Sequence, residues 1–247
     1  MKPSATRNNT RFAPSPTGLF HMGHLLLCLV NREEANLRGG KFLVRMETRW
    51  AAEAKPFGTS LGVDEMANGI LKDMAWCGVE PAYVSWQEET RWVEDIVLEK
   101  YKQLAIPEEI LSGFWRGPGG RNDKNLLHHT PGKVVFDRFF GCTPIIRGED
   151  LMVEHYWYVY LCNLFGFEPP ELWYMPKLQL DGEVISKTGS AHLAIQSLRR
   201  DGWETDEVIE TLRNAALVNP DGPFTFSNVK RVPLLTRESM ARRKTDG

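Results

Sequence analysis

Two imidazoles set three residues apart, in His21-Met22-Gly23-His24, are the side chains best suited to chemistry in this chain. At that spacing both rings lie on one face of the first turn of a helix. Neutral or protonated, they can donate hydrogen bonds to phosphate oxygens as charge develops there. Gly23 between them lets a flat ring approach the backbone. A pair of surface histidines at a helix start fits the same four residues, since so short a pattern is weak by itself. The flanking elements give it weight. Arg11-Phe12-Ala13 reads as a short strand, Pro14 and Pro16 exclude a helix, and Thr17-Gly18 supplies a turn. From His21 the apolar run Leu25 to Val30 predicts a buried helix that ends at Gly39-Gly40, with Lys41 to Arg45 as the next strand. Strand, turn, helix, strand is the first unit of a nucleotide-binding α/β fold, whose ligand sits at the carboxyl end of the first strand, near the helix N-terminus.

A chain of 247 residues can bury a real core but has room for one main domain with appendages. Charged residues make up 25% and the formal net charge is -2, which excludes a generally basic, non-specific nucleic-acid binder while leaving room for a local patch. The basic residues Arg237, Arg242, Arg243 and Lys244 read as a solvated, frayed end. Cys28, Cys77, Cys142 and Cys162 are scattered in apolar surroundings without a Cys-x-x-Cys pair, so they are expected to be reduced core residues and no metal site is expected. With neither a signal peptide nor a membrane span in view, a cytoplasmic enzyme is the default.

Further along, Glu65 to Trp76 is predicted as an amphipathic helix with Met66, Ile70, Met74 and Leu71 inward, Tyr83 to Trp86 as a strand, and Arg91 to Leu104 as a helix. Gly113 to Gly132 is rich in Gly, Pro and Asn and reads as a loop; a loop that long in a compact domain is functional or disordered. Val134 to Phe136 reads as a β-branched strand leading to a second strand at Ile145-Ile146. Leu151 to Phe165 predicts a helix whose aromatic stripe is mostly core, and Leu172 to Leu180 a strand region turned by Asp181-Gly182. Two helices follow, Leu193 to Arg200 and about Asp206 to Leu217, the second with Thr205 as N-cap.

Residues Arg11 to His24 resemble the signature of the class I glutamyl- and glutaminyl-tRNA synthetases, with His21-Met22-Gly23-His24 as the ATP-binding motif. Lys41 to Glu47 resembles that family's following strand, Ile145 to Leu151 its second-half signature, and Val184 to Thr188 its lysine-rich ATP loop. The resemblance implies an α/β fold with a Rossmann-like parallel sheet, a reduced insertion and a small C-terminal helical element. It divides the chain into 11–104 and 134–190 as the two halves of the nucleotide-binding fold, 105–133 as the cut-down acceptor-arm insertion, 191–235 as the helical element, and 1–10 and 236–247 as flexible tails. Nothing long enough for an anticodon-binding domain follows, so a truncated, stand-alone form similar to the glutamyl-queuosine synthetase type is expected, without its zinc module.

By the same resemblance His21 and His24 would contact ATP phosphates, with Gly23 under the adenine. Lys187, with Ser186 and Ile185 in the same loop, would neutralise the leaving pyrophosphate, and Mg2+ would accompany the ATP. Arg11, Ser15, Glu47 and Arg147 match positions of the amino-acid pocket, where two converging arginines would favour glutamate. Arg11 could instead pair with a local acid. His129 and Lys133 fall where the family has a Tyr and an Asn near the amino acid. The departures are as informative. Glu47-Thr48-Arg49-Trp50 replaces Glu-Asp-x-Asp, and Val184 stands where a loop Lys is common. Each weakens tRNA charging or glutamate specificity more than ATP binding. The leading expectation is ATP-dependent formation of an aminoacyl-adenylate with transfer to tRNA or a tRNA-like acceptor. The alternatives are a repurposed ligase acting on a small amine, alcohol or carrier protein, and a binding module that lost the chemistry.

Overall fold

The computed structural model describes residues 8–48, 61–105, 126–185, 191–229 and 233–241. Strands β1 (Thr10–Phe12), β2 (Phe42–Met46) and β3 (Tyr83–Trp86) form a parallel sheet in the order β1-β2-β3. Strands β4 (Ile145–Gly148) and β5 (Leu172–Met175) pair in parallel, and β4 lies beside β1, to which a parallel bridge between Asn9 and Cys142 joins it. The combined order is β3-β2-β1-β4-β5. The chain direction of crossovers therefore reverses between β1 and β4, the place where open α/β sheets leave a crevice at their carboxyl ends.

Alternation along each strand assigns the two faces. Thr10, Phe12, Val44, Met46 and Ile146 face helix α1 (Met22–Leu37), which buries Met22, Leu25, Leu26 and Leu29 at helical spacing. Helices α2 (Val63–Trp76), α6 (Ile195–Arg200) and α7 (Thr205–Ala215) share that core. Arg11, Leu43, Arg45, Ile145 and Arg147 point to the opposite face, covered by α3 (Arg91–Gln103), α4 (Leu126–Phe139) and α5 (His155–Leu164) with a second apolar cluster. The turn after α1 needs Gly40 because the carbonyl of Asn8 occupies the place of its missing Cβ. Beyond β5, β6 (Gln179–Leu180) and β7 (Glu183–Val184) form an antiparallel hairpin, and β8 (Leu234–Leu235) joins β6 in parallel to complete a small sheet.

Several expectations are corrected. Val134 to Phe136 is not a strand but the third turn of α4, which also takes in residues expected to be loop and crosses the division placed between 133 and 134. The run is buried on every side, at 1% exposure or less, and a short all-apolar run carries no period that separates strand from buried helix. Pro131 lies inside this helix, so the proline does not break it. The predicted helix over 151–165 begins only at His155; Glu149 to Glu154 is a 3-10 turn. Its aromatic stripe is divided: Tyr158 is fully buried, whereas Tyr156 is 86% and Tyr160 48% exposed. Thr205 is not the cap of α7; Glu204 is, and the Thr205 hydroxyl donates to the Trp76 carbonyl at 2.8 Å. Both expected tails contribute structure: Thr10 belongs to β1, and Thr236 caps a short helix, α8 (Arg237–Met240), where Arg237 pairs with Asp181 at 3.0 Å. All four cysteines are buried and free. Residues 1–7, 49–60, 113–125 and 242–247, to which expectations were also attached, lie outside the described residues. Among the described residues no helix is long and apolar enough to cross a membrane.

Candidate active site

A cavity of about 410 Å3 opens between the carboxyl ends of β1 and β4 on the α1 side, lined by Ser15, His21, Gly23, His24 and Gly148 and closed by the β6–β7 hairpin through Val184 and Ile185. The Pro14-Ser15-Pro16-Thr17 turn carries the chain from β1 into it. The Thr17 amide donates to the Ser15 carbonyl at 2.7 Å, and the Glu47 amide to the Pro14 carbonyl at 3.0 Å. His21 is extended at the N-cap of α1, and its ring and that of His24 form a reciprocal capping box across the first turn. The two rings stack at 3.7 Å between centroids and 19° between planes, and Phe20 continues the column behind His24 at 5.8 Å. The flat ring lying against Gly23 is that of His21 itself: a Cβ there would come within 3.2 Å of its Cε1 and Nδ1. Two imidazoles at a helix N-terminus, where backbone N–H groups and the helix dipole favour negative charge, form a receptor for an anion such as a phosphate. The hairpin reaches this cavity at Ile185, which is buried and whose amide donates to Leu178 at 3.1 Å. Ser186 and Lys187, the next residues, lie outside the described part of the chain.

On the opposite face β1, β2 and β4 each present an arginine, and each finds its counter-charge within the protein. Arg11 forks onto Asp137 of α4, Nε to Oδ1 at 2.5 Å and Nη2 to Oδ2 at 2.9 Å. The Tyr158 hydroxyl donates to the same carboxylate at 2.7 Å. Glu47 sits between Arg45 at 3.0 Å and Lys133 at 3.6 Å. Arg147 donates to the Tyr174 hydroxyl at 3.1 Å and pairs with Glu154 at 3.5 Å, stacked between the rings of Tyr158 and Tyr174. His155 Nδ1 meets the same Tyr174 hydroxyl at 2.9 Å. Burial opposes the charge on Arg11, but the Asp137 carboxylate outweighs it and holds the guanidinium above its ordinary range. Lys133 goes the other way: burial lowers it, only partly offset by Glu47 and Glu154, with Arg11 and Arg45 acting alongside burial. Tyr158 is raised by burial and then by Asp137.

Sequence-based expectations thus divide into two groups. Ser15, His21, Gly23, His24 and Ile185 meet at one cavity, while Arg11, Glu47, Lys133 and Arg147 meet in one buried polar layer. Of the two open roles for Arg11, the local ion pair is the one formed. His129 lies in the first turn of α4, with its side chain outside the described residues. Asp137, Arg45, Tyr158, Tyr174 and Glu154 are missed by sequence reasoning, as are Asp150 and Lys177 at the cavity. A helical reading of 126–139 would have revealed Lys133 and Asp137 at i and i+4 on one face.

The five parallel strands in the order β3-β2-β1-β4-β5, with a cavity where that order reverses, make a Rossmann-like α/β fold of the nucleotide-binding kind. Residues 8–104 match the family described as tRNA synthetases class I (E and Q), catalytic domain. A glutamate–tRNA ligase of Methanococcus maripaludis (strain C7) is 24% identical over 267 residues, 82% of this chain and 46% of the relative. Glutamate-tRNA synthetase from Elizabethkingia anophelis superposes with a TM-score of 0.67 at 16% identity, over 97% of this chain and 69% of that one. Tyrosyl-tRNA synthetase from Aeropyrum pernix gives 0.60 at 17% identity over 79% and 62%. Sequence and fold together support a class I, glutamyl-tRNA-synthetase-like catalytic domain. The chain spans about half the length of the curated relatives it matches.

Proposed function

We propose that the chain uses ATP to activate an amino acid as its adenylate and passes the acyl group to tRNA or another acyl acceptor, in the cytoplasm. The observation that carries this reading is the stacked His21–His24 pair at the N-terminus of α1, facing the cavity at the point where the strand order reverses. In that reaction a carboxylate oxygen attacks the α-phosphorus of ATP and the bond to pyrophosphate breaks, so the protein's task is positioning and charge stabilisation. His21 and His24 would donate to the phosphate oxygens, Gly23 would give the nucleotide room at the helix start, and Lys187 with Ser186 would meet the leaving pyrophosphate. Magnesium would be carried on the triphosphate. Asp150 is the carboxylate among the described lining residues, and one carboxylate plus phosphates suits that ion.

The amino acid would lie over the Arg11, Glu47, Lys133 and Arg147 layer, with glutamate the first candidate from the relatives' names. Arg147 is the better placed of the two arginines for a substrate carboxylate, since its Nε is buried without a hydrogen-bond partner among the described residues, whereas Arg11 spends two donors on Asp137. That Arg11–Asp137 pair, with Thr48 in place of a carboxylate, also favours a second reading in which the amino acid is not glutamate or the acceptor is a small amine, alcohol or carrier protein. ATP–pyrophosphate exchange with each amino acid in turn, with and without bulk tRNA, tests the proposal. Exchange for one amino acid is the expected result. Silence under every condition, together with no ATP binding, would leave only a binding module.

A further inference from the structure

We infer that Lys177 contacts the polyphosphate of the nucleotide, taking the cationic place left empty by Val184. The inference rests on the adenylation reading and adds a residue to it. Val184 lines the cavity as an apolar, 45% exposed side chain. Lys177 lines the same cavity and is the only Lys or Arg among its described lining residues. Its backbone is held, because the Lys177 amide donates to Glu149 Oε1 at 3.1 Å. Its position relative to the hairpin follows from the strand register. Gln179 pairs with Val184, and the Ile185 amide continues the ladder to Leu178. One step further along the same edge stands Lys177, at the end of the hairpin where Ile185 lines the cavity.

The side chain is poised to move. Its ammonium rests 3.7 Å from Asp150, with the two side chains 40% and 53% exposed. A partly solvated pair of that kind is weak, and a triphosphate offers several charges where Asp150 offers one. A lysine is a compact charge on a flexible stem and can follow the phosphates without a fixed fork geometry. Asp150 then keeps the ammonium over the cavity mouth until a nucleotide arrives. Gly148 belongs to this arrangement, since a Cβ there would come within 2.5 Å of Asp150 Oδ1.

The test is titration calorimetry of the full chain with MgATP and, separately, with AMP, for the parent, Lys177→Met and Lys177→Arg. Lys177→Met is expected to bind ATP roughly tenfold more weakly, the equivalent of about 1.4 kcal/mol, with AMP affinity unchanged and Lys177→Arg restoring most of the loss. Equal ATP affinity in the parent and Lys177→Met overturns the inference. So does an equal loss for ATP and AMP, which would make the residue structural. A parent that binds neither nucleotide overturns the adenylation reading itself, and this inference with it.

Discussion

The two faces of the sheet meet at the same carboxyl edge yet solve opposite problems. On the α1 side the cavity is open, its polar groups include two stacked imidazoles, a helix N-terminus and the Lys177–Asp150 pair, and its charges reach solvent. On the α4 and α5 side every arginine of the layer is buried and matched to an internal acid. The open side is built to receive charge from outside. The closed side has already supplied its own, so a substrate polar group entering it meets ion pairs that are already formed, with Arg147 Nε a donor left over among the described residues. Substitutions on the two sides should therefore fail in different ways.

The largest effect is expected at Asp137. Asp137→Ala leaves Arg11 buried without its counter-charge and Tyr158 without its acceptor, and should destabilise the chain by about 3–5 kcal/mol in urea denaturation. A loss below about 1 kcal/mol, an exposed pair's worth, would mean the layer is not held by its charges. Next comes the open side: His24→Asn should lower the rate of adenylation by roughly 10²–10³ while the thermal midpoint stays close to the parent's. If the midpoint collapses instead, the pair is part of the scaffold and the contrast between the two faces fails.

The sequence exposes these sides unequally for a physical reason. The open side is contiguous: Arg11 to His24 contains the strand end, the proline turn, the cap and both imidazoles, so local rules suffice. The closed side is assembled from residues far apart, and Arg11 and Asp137 are separated by 126 positions. One of its local signals, the i, i+4 relation of Lys133 and Asp137, is hidden because Val134-Val135-Phe136 between them looks like a strand and Pro131-Gly132 before them like a turn. Burial on all sides overrode both preferences. The split aromatic stripe of α5 was equally illegible, since which tyrosine meets the core depends on where the 3-10 turn ends.

Two smaller effects sharpen the contrast. Gly23→Ala places a methyl against the His21 ring and should cost about tenfold in adenylation rate through misplacement. It should leave stability equal or up to about 1 kcal/mol higher, as alanine suits a helix better than glycine. A loss of stability without a loss of rate would show that the ring's position does not matter. The smallest effect lies outside both regions. Asp73 of α2 is pushed up to about 6 by burial, against the pull of Arg199 at 3.6 Å. The folded state then binds its proton more readily than the unfolded chain between about pH 4 and pH 6, so this group's contribution to stability falls as pH rises through that window. Asp73→Asn should gain on the parent between pH 4 and pH 7, by roughly 1 kcal/mol once the lost Arg199 contact is counted. A stability difference that does not change with pH would remove Asp73 as its source.

The most direct test of the contrast is ATP–pyrophosphate exchange measured side by side with thermal unfolding for the parent, His24→Asn and Asp137→Asn. The expected result is that His24→Asn loses exchange while keeping its midpoint, and Asp137→Asn loses its midpoint first. Exchange in His24→Asn equal to the parent's would contradict the account, because the open cavity would then not be where the phosphates are handled.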